Sequence, residues 1–138
     1  MDPDKSAKRL AGGCRCGAVR YDTALPLQAA ICHCEDCRHS AGAPMVAWMG
    51  VAASALRITK GKPQSWSFNG KAQRHFCPVC GTGLFYMNES VIPGMIDVQI
   101  ATLDDASAVV PEIQVQVAER LPWVANIHQL PSFDRFPD

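Results

Sequence analysis

Apolar and polar residues alternate with a period of two along much of this chain, and no segment sustains the 3.6-residue period of an amphipathic helix, so the pattern predicts strands joined by turns. In Met95–Ala101 the alternation is clean, with Ile96, Val98 and Ile100 directed inward, and Ile113–Val117 repeats it. Pro44–Ala53 is a near-continuous apolar run between turn signals, which suits a strand buried on both faces. Leu56–Lys60 alternates again. Gly61, Pro63, Asn69 and Gly70 then punctuate a hairpin-like excursion carrying Trp66 and Phe68, and Leu84–Met87 reads as a short apolar strand. Near the start, Cys14–Tyr21 is expected to be a strand with Cys14, Cys16, Ala18 and Arg20 on one face and Val19 and Tyr21 on the other. Asp22–Pro26 reads as a turn and Gln28–Cys32 as an extended segment. One or two helical turns are expected over Asp36–Ala41 before Gly42 and Pro44 stop them, while Pro122, Pro131 and Pro137 break the C-terminal stretch into irregular pieces. The fold class is therefore mainly β, with several short antiparallel sheets and little helix.

Composition limits the functions open to such a fold. With 138 residues, 48% hydrophobic and 19% charged, the chain has the composition of one globular domain. Residues 1–9 are polar and charged and read as a flexible tail, leaving 10–138 as the domain. Thirteen basic residues balance thirteen acidic ones, so no global field draws the protein to nucleic acid or an anionic membrane. No apolar run reaches the length of about 18 residues that spans a bilayer, and no signal-like segment follows the tail, so a cytoplasmic location is expected.

In that reducing setting the seven cysteines change the picture most, because clustered thiols there serve metals or catalysis more often than disulfides. Cys77-Pro-Val-Cys80-Gly81 has the spacing of a zinc knuckle, which takes two further ligands to close a tetrahedral site. Cys14 and Cys16 can supply them. Cys32, Cys34 and Cys37 then form a second set of three thiols with a vacant fourth position, the arrangement of a catalytic zinc. Three thiolates make a soft site that suits a sulfur ligand such as a substrate thiol. A rival pairing of Cys34 and Cys37 with Cys77 and Cys80 gives a plain zinc ribbon, but orphans three cysteines. A redox role for Cys34 and Cys37 lacks the βαβ context that such pairs occupy. His33, between two ligands, points away from the ion and is assigned to the scaffold. Glu35 and Asp36 are candidates for a general base or for helix-start charges, and His39 and His75 for support of the thiols.

Gly13-Cys14-x-Cys16-Gly17, Cys32-His33-Cys34-x-x-Cys37 and Phe76-Cys77-x-x-Cys80-Gly81-Thr82 together resemble the glutathione-dependent formaldehyde-activating enzyme family, which includes centromere protein V. Arg38–Pro44, Thr102–Asp105 and Leu121–Val124 extend the similarity over most of the chain. The resemblance implies a β-rich zinc fold, a structural zinc at Cys14, Cys16, Cys77 and Cys80, and a second zinc at Cys32, Cys34 and Cys37. It also implies carbon–sulfur lyase chemistry, in which glutathione and formaldehyde give S-hydroxymethylglutathione. On that reading Cys32, Cys34 and Cys37 are the catalytic residues, and Arg38 and Arg74, with Lys71 nearby in sequence, are candidates for binding the carboxylates of glutathione. The partners are then a small-molecule thiol and an aldehyde. After Pro111 the pattern departs from many members, which carry a histidine and an aromatic where this chain has Gln114-Val-Gln116, so it assigns that strand no pocket role. A non-catalytic zinc-structured binding module stays open as the alternative.

Overall fold

A computed structural model describes residues 8–137, which form two sheets. The smaller joins β1 (Arg9–Gly13), β2 (Arg20–Ala24) and β5 (Leu56–Lys60) in the order β1-β2-β5. The larger contains β3 (Gln28–Cys32), β4 (Val46–Ala52), β6 (Gln64–Trp66), β7 (Gln73–Phe76), β8 (Gly83–Met87), β9 (Met95–Gln99) and β10 (Ile113–Val115). Its order is β10-β3-β4-β9-β8-β7-β6. The one α-helix among the described residues, α1 (Glu35–Ala41), connects β3 to β4. The chain is mainly β with little helix, as the alternation predicts. The strand pairs are antiparallel as expected, except that β10 pairs with β3 in parallel. Local alternation identifies a strand but carries no information about its partner, and β10 arrives at β3 after a long excursion through the rest of the sheet.

Two further expectations are corrected. Cys14–Val19 is a turn between β1 and β2, and Asp22–Ala24 is strand, so the elements are shifted against the predicted strand and turn. β1 begins at Arg9, whose guanidinium pairs with Asp22 at 2.6 Å and donates to the Ala55 carbonyl, so Arg9 belongs to the sheet and not to the tail. Residues 1–7 of the expected tail lie outside the described residues.

Pleating explains why the large sheet has two unlike faces. Residues directly opposite on paired strands share a face. One face carries Ala29, Met49, Val51, Ile96, Val98 and Phe85, which pack with Tyr21 and Val19 of the smaller sheet's hairpin into the main core. Tyr21 and Phe85 meet edge to face at 5.2 Å, and the Tyr21 hydroxyl shares a 2.7 Å hydrogen bond with Thr102. This arrangement lets a fully buried phenol keep a polar partner. The other face carries Cys32, Val46, Trp48 and Tyr86, which form a second, smaller cluster with Cys37 of α1. β4 is buried on both faces because it lies between the two clusters, in agreement with its continuous apolar run.

Candidate functional site

The first thiol cluster joins two turns from different sheets. The β1–β2 turn supplies Cys14 and Cys16, and the turn after β7 supplies Cys77 and Cys80; all four sulfurs lie within 4.8 Å of one another. Cys14 and Cys16 are 3.6 Å apart at sulfur, and Cys16 and Cys77 are 3.9 Å apart. A tetrahedron of sulfurs around zinc, with Zn–S of about 2.3 Å, has edges of about 3.8 Å. The donor set therefore fits a four-thiolate zinc. Backbone amides already face the sulfurs: Val19 N–H donates to Cys14 Sγ at 3.2 Å, and Val79 and Cys80 N–H donate to Cys77 Sγ. Hydrogen bonds from Thr82 bring the Cys80 thiol down to about 5. The Ala18 amide favours the Cys16 thiolate, but burial and the neighbouring sulfurs outweigh it and push Cys16 up to about 11. Protons on such a cluster compete with one another, and a divalent cation is the group that lets all four ionise together.

The second cluster is built at the edge where β3 meets α1. Cys32 ends β3, Cys34 is the N-cap of α1, and Cys37 lies in the helix's first turn, so the three sulfurs lie within 4.8 Å of one another. Cys34 Sγ accepts from Cys37 N–H at 3.3 Å, the place where a serine or aspartate oxygen ordinarily caps a helix. Burial, with the neighbouring thiols, pushes Cys32 up to about 12. Burial also raises Cys37, against the pull of Arg74, whose Nη2 lies 3.7 Å from Cys37 Sγ. Burial thus favours the protonated form of Cys32 and of Cys37, and a bound cation would compete for those protons. His33 is fully buried and turned away from the sulfurs, with Nε2 2.8 Å from Gln114 Oε1 and its backbone N–H donating to Val115 O. The histidine is a scaffold residue, as its position between Cys32 and Cys34 predicts. Gln114 is its partner on the neighbouring strand.

The three thiols open onto a cavity of about 260 Å³ on the second face of the large sheet. Trp48, Tyr86, Ile113 and Val115 form its apolar walls, and Arg74, Asp36, Gln28, Gln116 and Asp97 its polar ones. β10 thus lines the cavity with Ile113 and Val115, despite the departure of Gln114-Val-Gln116 from the family's pattern. Its end is set by Gln116, which adopts left-handed backbone at φ 57°.

Arg74 is held inside the site: Nη2 bonds Asp36 at 2.6 Å, and the guanidinium stacks over Tyr86, 4.8 Å from the ring centroid. Arg38 is not in this cavity. It lines a separate depression with His39, Pro44 and Trp123, and its Nε is buried without a partner among the described residues. Helical spacing accounts for the difference, since Arg38 follows Cys37 by one residue and faces about 100° away. Lys71 is exposed on the β6–β7 loop and lines a depression apart from the thiols. His39 is solvent-exposed and within 3.6 Å of Glu35, while His75 lies against Phe85 on the core face. Neither is beside the three sulfurs.

The glutathione-dependent formaldehyde-activating enzyme family matches this sequence over residues 9–119. The chain belongs to that family. The match takes in both thiol clusters and all ten strands, and leaves the C-terminal 3₁₀ turns of Pro122–Gln129 outside it. Among solved structures, the chain is similar to a Rhodobacter sphaeroides protein at 27% sequence identity and a TM-score of 0.61. That similarity covers 76% of this chain and 98% of the other.

The residues that sequence reasoning missed are Trp48, Tyr86, Gln28 and Asp97. All lie on the sheet face opposite the main core. Cross-strand pairing puts Gly50 beside Asp97 and Asp97 beside Tyr86, a relation that alternation within a single strand does not reveal.

Proposed function

We propose that this protein forms and cleaves the carbon–sulfur bond between a small thiol, glutathione above all, and formaldehyde or a related aldehyde, in the reducing cytoplasm. The observation that carries this reading is the second cluster: three convergent thiols, no fourth protein ligand among the described residues, and a cavity in front of them. Cys32, Cys34 and Cys37 would hold a zinc ion, and Cys14, Cys16, Cys77 and Cys80 a second, structural one. The catalytic ion would supply Lewis acidity and keep a substrate thiol ionised at neutral pH.

The chain's own residues do the rest. Trp48 and Tyr86 line the cavity and would present apolar walls to the reacting carbon. Arg74, locked by Asp36 and by Tyr86, positions Cys37 through an N–H directed at its sulfur, while Asp36 balances its charge. Arg38, in its separate depression, is dropped from the glutathione-binding set.

The test is nuclear magnetic resonance exchange between free formaldehyde and S-hydroxymethylglutathione, with zinc-loaded protein against a protein-free control. Exchange faster than the control is expected from the wild type, with loss of most of the excess in Cys32→Ser. A fully metallated protein that neither binds glutathione nor alters the exchange would overturn the proposal and leave a zinc-structured binding module.

A further inference from the structure

Asp97 is the one carboxylate in the cavity that has no partner. Alternation along β9 sends Ile96 and Val98 into the main core and Asp97 to the opposite face, among the cavity's walls. Among the described residues it forms no ion pair and no side-chain hydrogen bond is found for it. The cavity's cation, Arg74, is already committed to Asp36. A carboxylate set aside in this way, in a partly dry pocket, lacks a positive charge.

Its position in the sheet decides what kind of charge would fit. Gln28, Gly50, Asp97 and Tyr86 form one cross-strand row, whereas Cys32 pairs with Val46. The two rows lie about 13 Å apart along the strands, at about 3.3 Å per residue. Arg74 continues the Asp97 row two strands further on, about 10 Å from Asp97 at about 4.8 Å per strand, and reaches Cys37 Sγ at 3.7 Å, so the carboxylate and the sulfurs are separated by on the order of 10 Å. That exceeds the direct or one-water reach of a general base acting at the thiol or at the carbon bonded to it. Gly50 keeps the floor open there: a Cβ on it would come within 3.0 Å of the Gln28 side chain.

We propose that this end of the cavity, centred on Asp97 and flanked by Gln28, is the subsite for a protonated amine carried at the far end of the thiol substrate. The proposal rests on reading the three sulfurs as a thiol-binding site. In extended glutathione the γ-glutamyl ammonium lies roughly 9–10 Å from the sulfur, given ordinary bond lengths, and so matches the span. Burial pushes the Asp97 carboxyl up to about 6, so at neutral pH it is ionised and able to pair with that ammonium. The ammonium would donate to the carboxylate, with the Gln28 amide oxygen as a second acceptor; no bond is made or broken at this end.

The experiment compares glutathione with N-acetylglutathione, which keeps the thiol and removes the positive charge, by titration into zinc-loaded wild-type protein and Asp97→Asn without aldehyde. Wild-type protein should bind glutathione roughly ten- to a hundredfold tighter than the acetylated form, and the ratio should fall to about one in Asp97→Asn. Equal binding of the two thiols by the wild type, or a ratio that survives in Asp97→Asn, overturns the subsite while leaving the thiol site standing. Failure of both thiols to bind the wild type removes the thiol reading and the subsite together. The comparison within the wild type needs no variant to fold.

Discussion

Asp97 shows how one residue can serve binding at the expense of stability. Its carboxyl is held near 6 in the folded protein by burial, against an ordinary value of 3.8. The folded state therefore holds this proton more tightly than the unfolded chain, and the ionised form is penalised. The penalty is absent below about pH 4, grows between pH 4 and 6, and is fully present above that. Of the groups facing it, Arg74 is neutralised by Asp36, and Tyr86 and the three thiols supply no positive charge. Asp97→Asn should therefore raise the unfolding free energy at pH 8 by about 1–2 kcal/mol, after allowing for partial solvation of the carboxyl, with the gain shrinking toward pH 4. Urea unfolding of both proteins at pH 8 and pH 5 reads this difference directly, and a gain independent of pH would argue against a buried, uncompensated carboxylate. The alternation of Met95–Ala101 tells which residues share a face. It does not tell that Asp97 lines a cavity shared with Asp36 and Cys37 of α1 and with Ile113 and Val115 of β10, which is why the carboxylate looks like an ordinary surface charge in the sequence.

At the level of elements, the turns rather than the strands position the chemistry. Cys14 and Cys16 are expected to share a strand face; they meet because a turn folds them together, so the four thiols converge although the expected backbone is wrong. Spacing between cysteines is a local property and survives that error, whereas the turn depends on contacts from β5 that are distant in sequence. Gly61, just after β5, has φ 73°, and a Cβ there would lie 2.0 Å from the Ala18 carbonyl oxygen in the same turn. Gly70 has a similar φ of 78°, but open space where its Cβ would be. Both pay the cost of left-handed backbone when replaced, about 1 kcal/mol, and only Gly61 adds a backbone clash. Gly61→Ala should thus destabilise the protein by on the order of 2–4 kcal/mol in total, against about 1 kcal/mol for the backbone cost alone, and weaken metal retention at the first cluster. Gly70→Ala should cost about 1 kcal/mol and leave metal retention alone. Thermal unfolding paired with a zinc-release assay separates the two, and equal behaviour of the variants would dismiss the role assigned to the Ala18 contact.

Across the whole molecule the two clusters have different structural duties. The division of seven cysteines into four and three was legible in the sequence, because ligand spacing is short-range. The relation of each group to the sheets was not, because it depends on pairings such as β10 with β3 and β2 with β5 that join distant segments. In the folded chain the first cluster ties the β1–β2 turn of the small sheet to the β7–β8 turn of the large one, so a metal there would clamp the two sheets around their shared core. The second cluster joins only β3 to the helix that follows it, a span of six residues from Cys32 to Cys37. A cross-link between distant segments restrains the unfolded chain far more than one between neighbours. Graded chelation should accordingly give two steps. Loss of metal from the three-thiol cluster, which has fewer ligands and faces the cavity, should abolish thiol binding with little change in unfolding temperature. Loss from the four-thiol cluster should follow at stronger chelation and lower the unfolding temperature by roughly 10 °C or more, since structural zinc sites carry a large share of folding free energy. Cys77→Ala should reproduce the second effect and Cys32→Ala only the first. Metal quantification alongside circular dichroism during the titration makes the comparison, and the assignment fails if Cys32→Ala lowers the unfolding temperature as far as Cys77→Ala does.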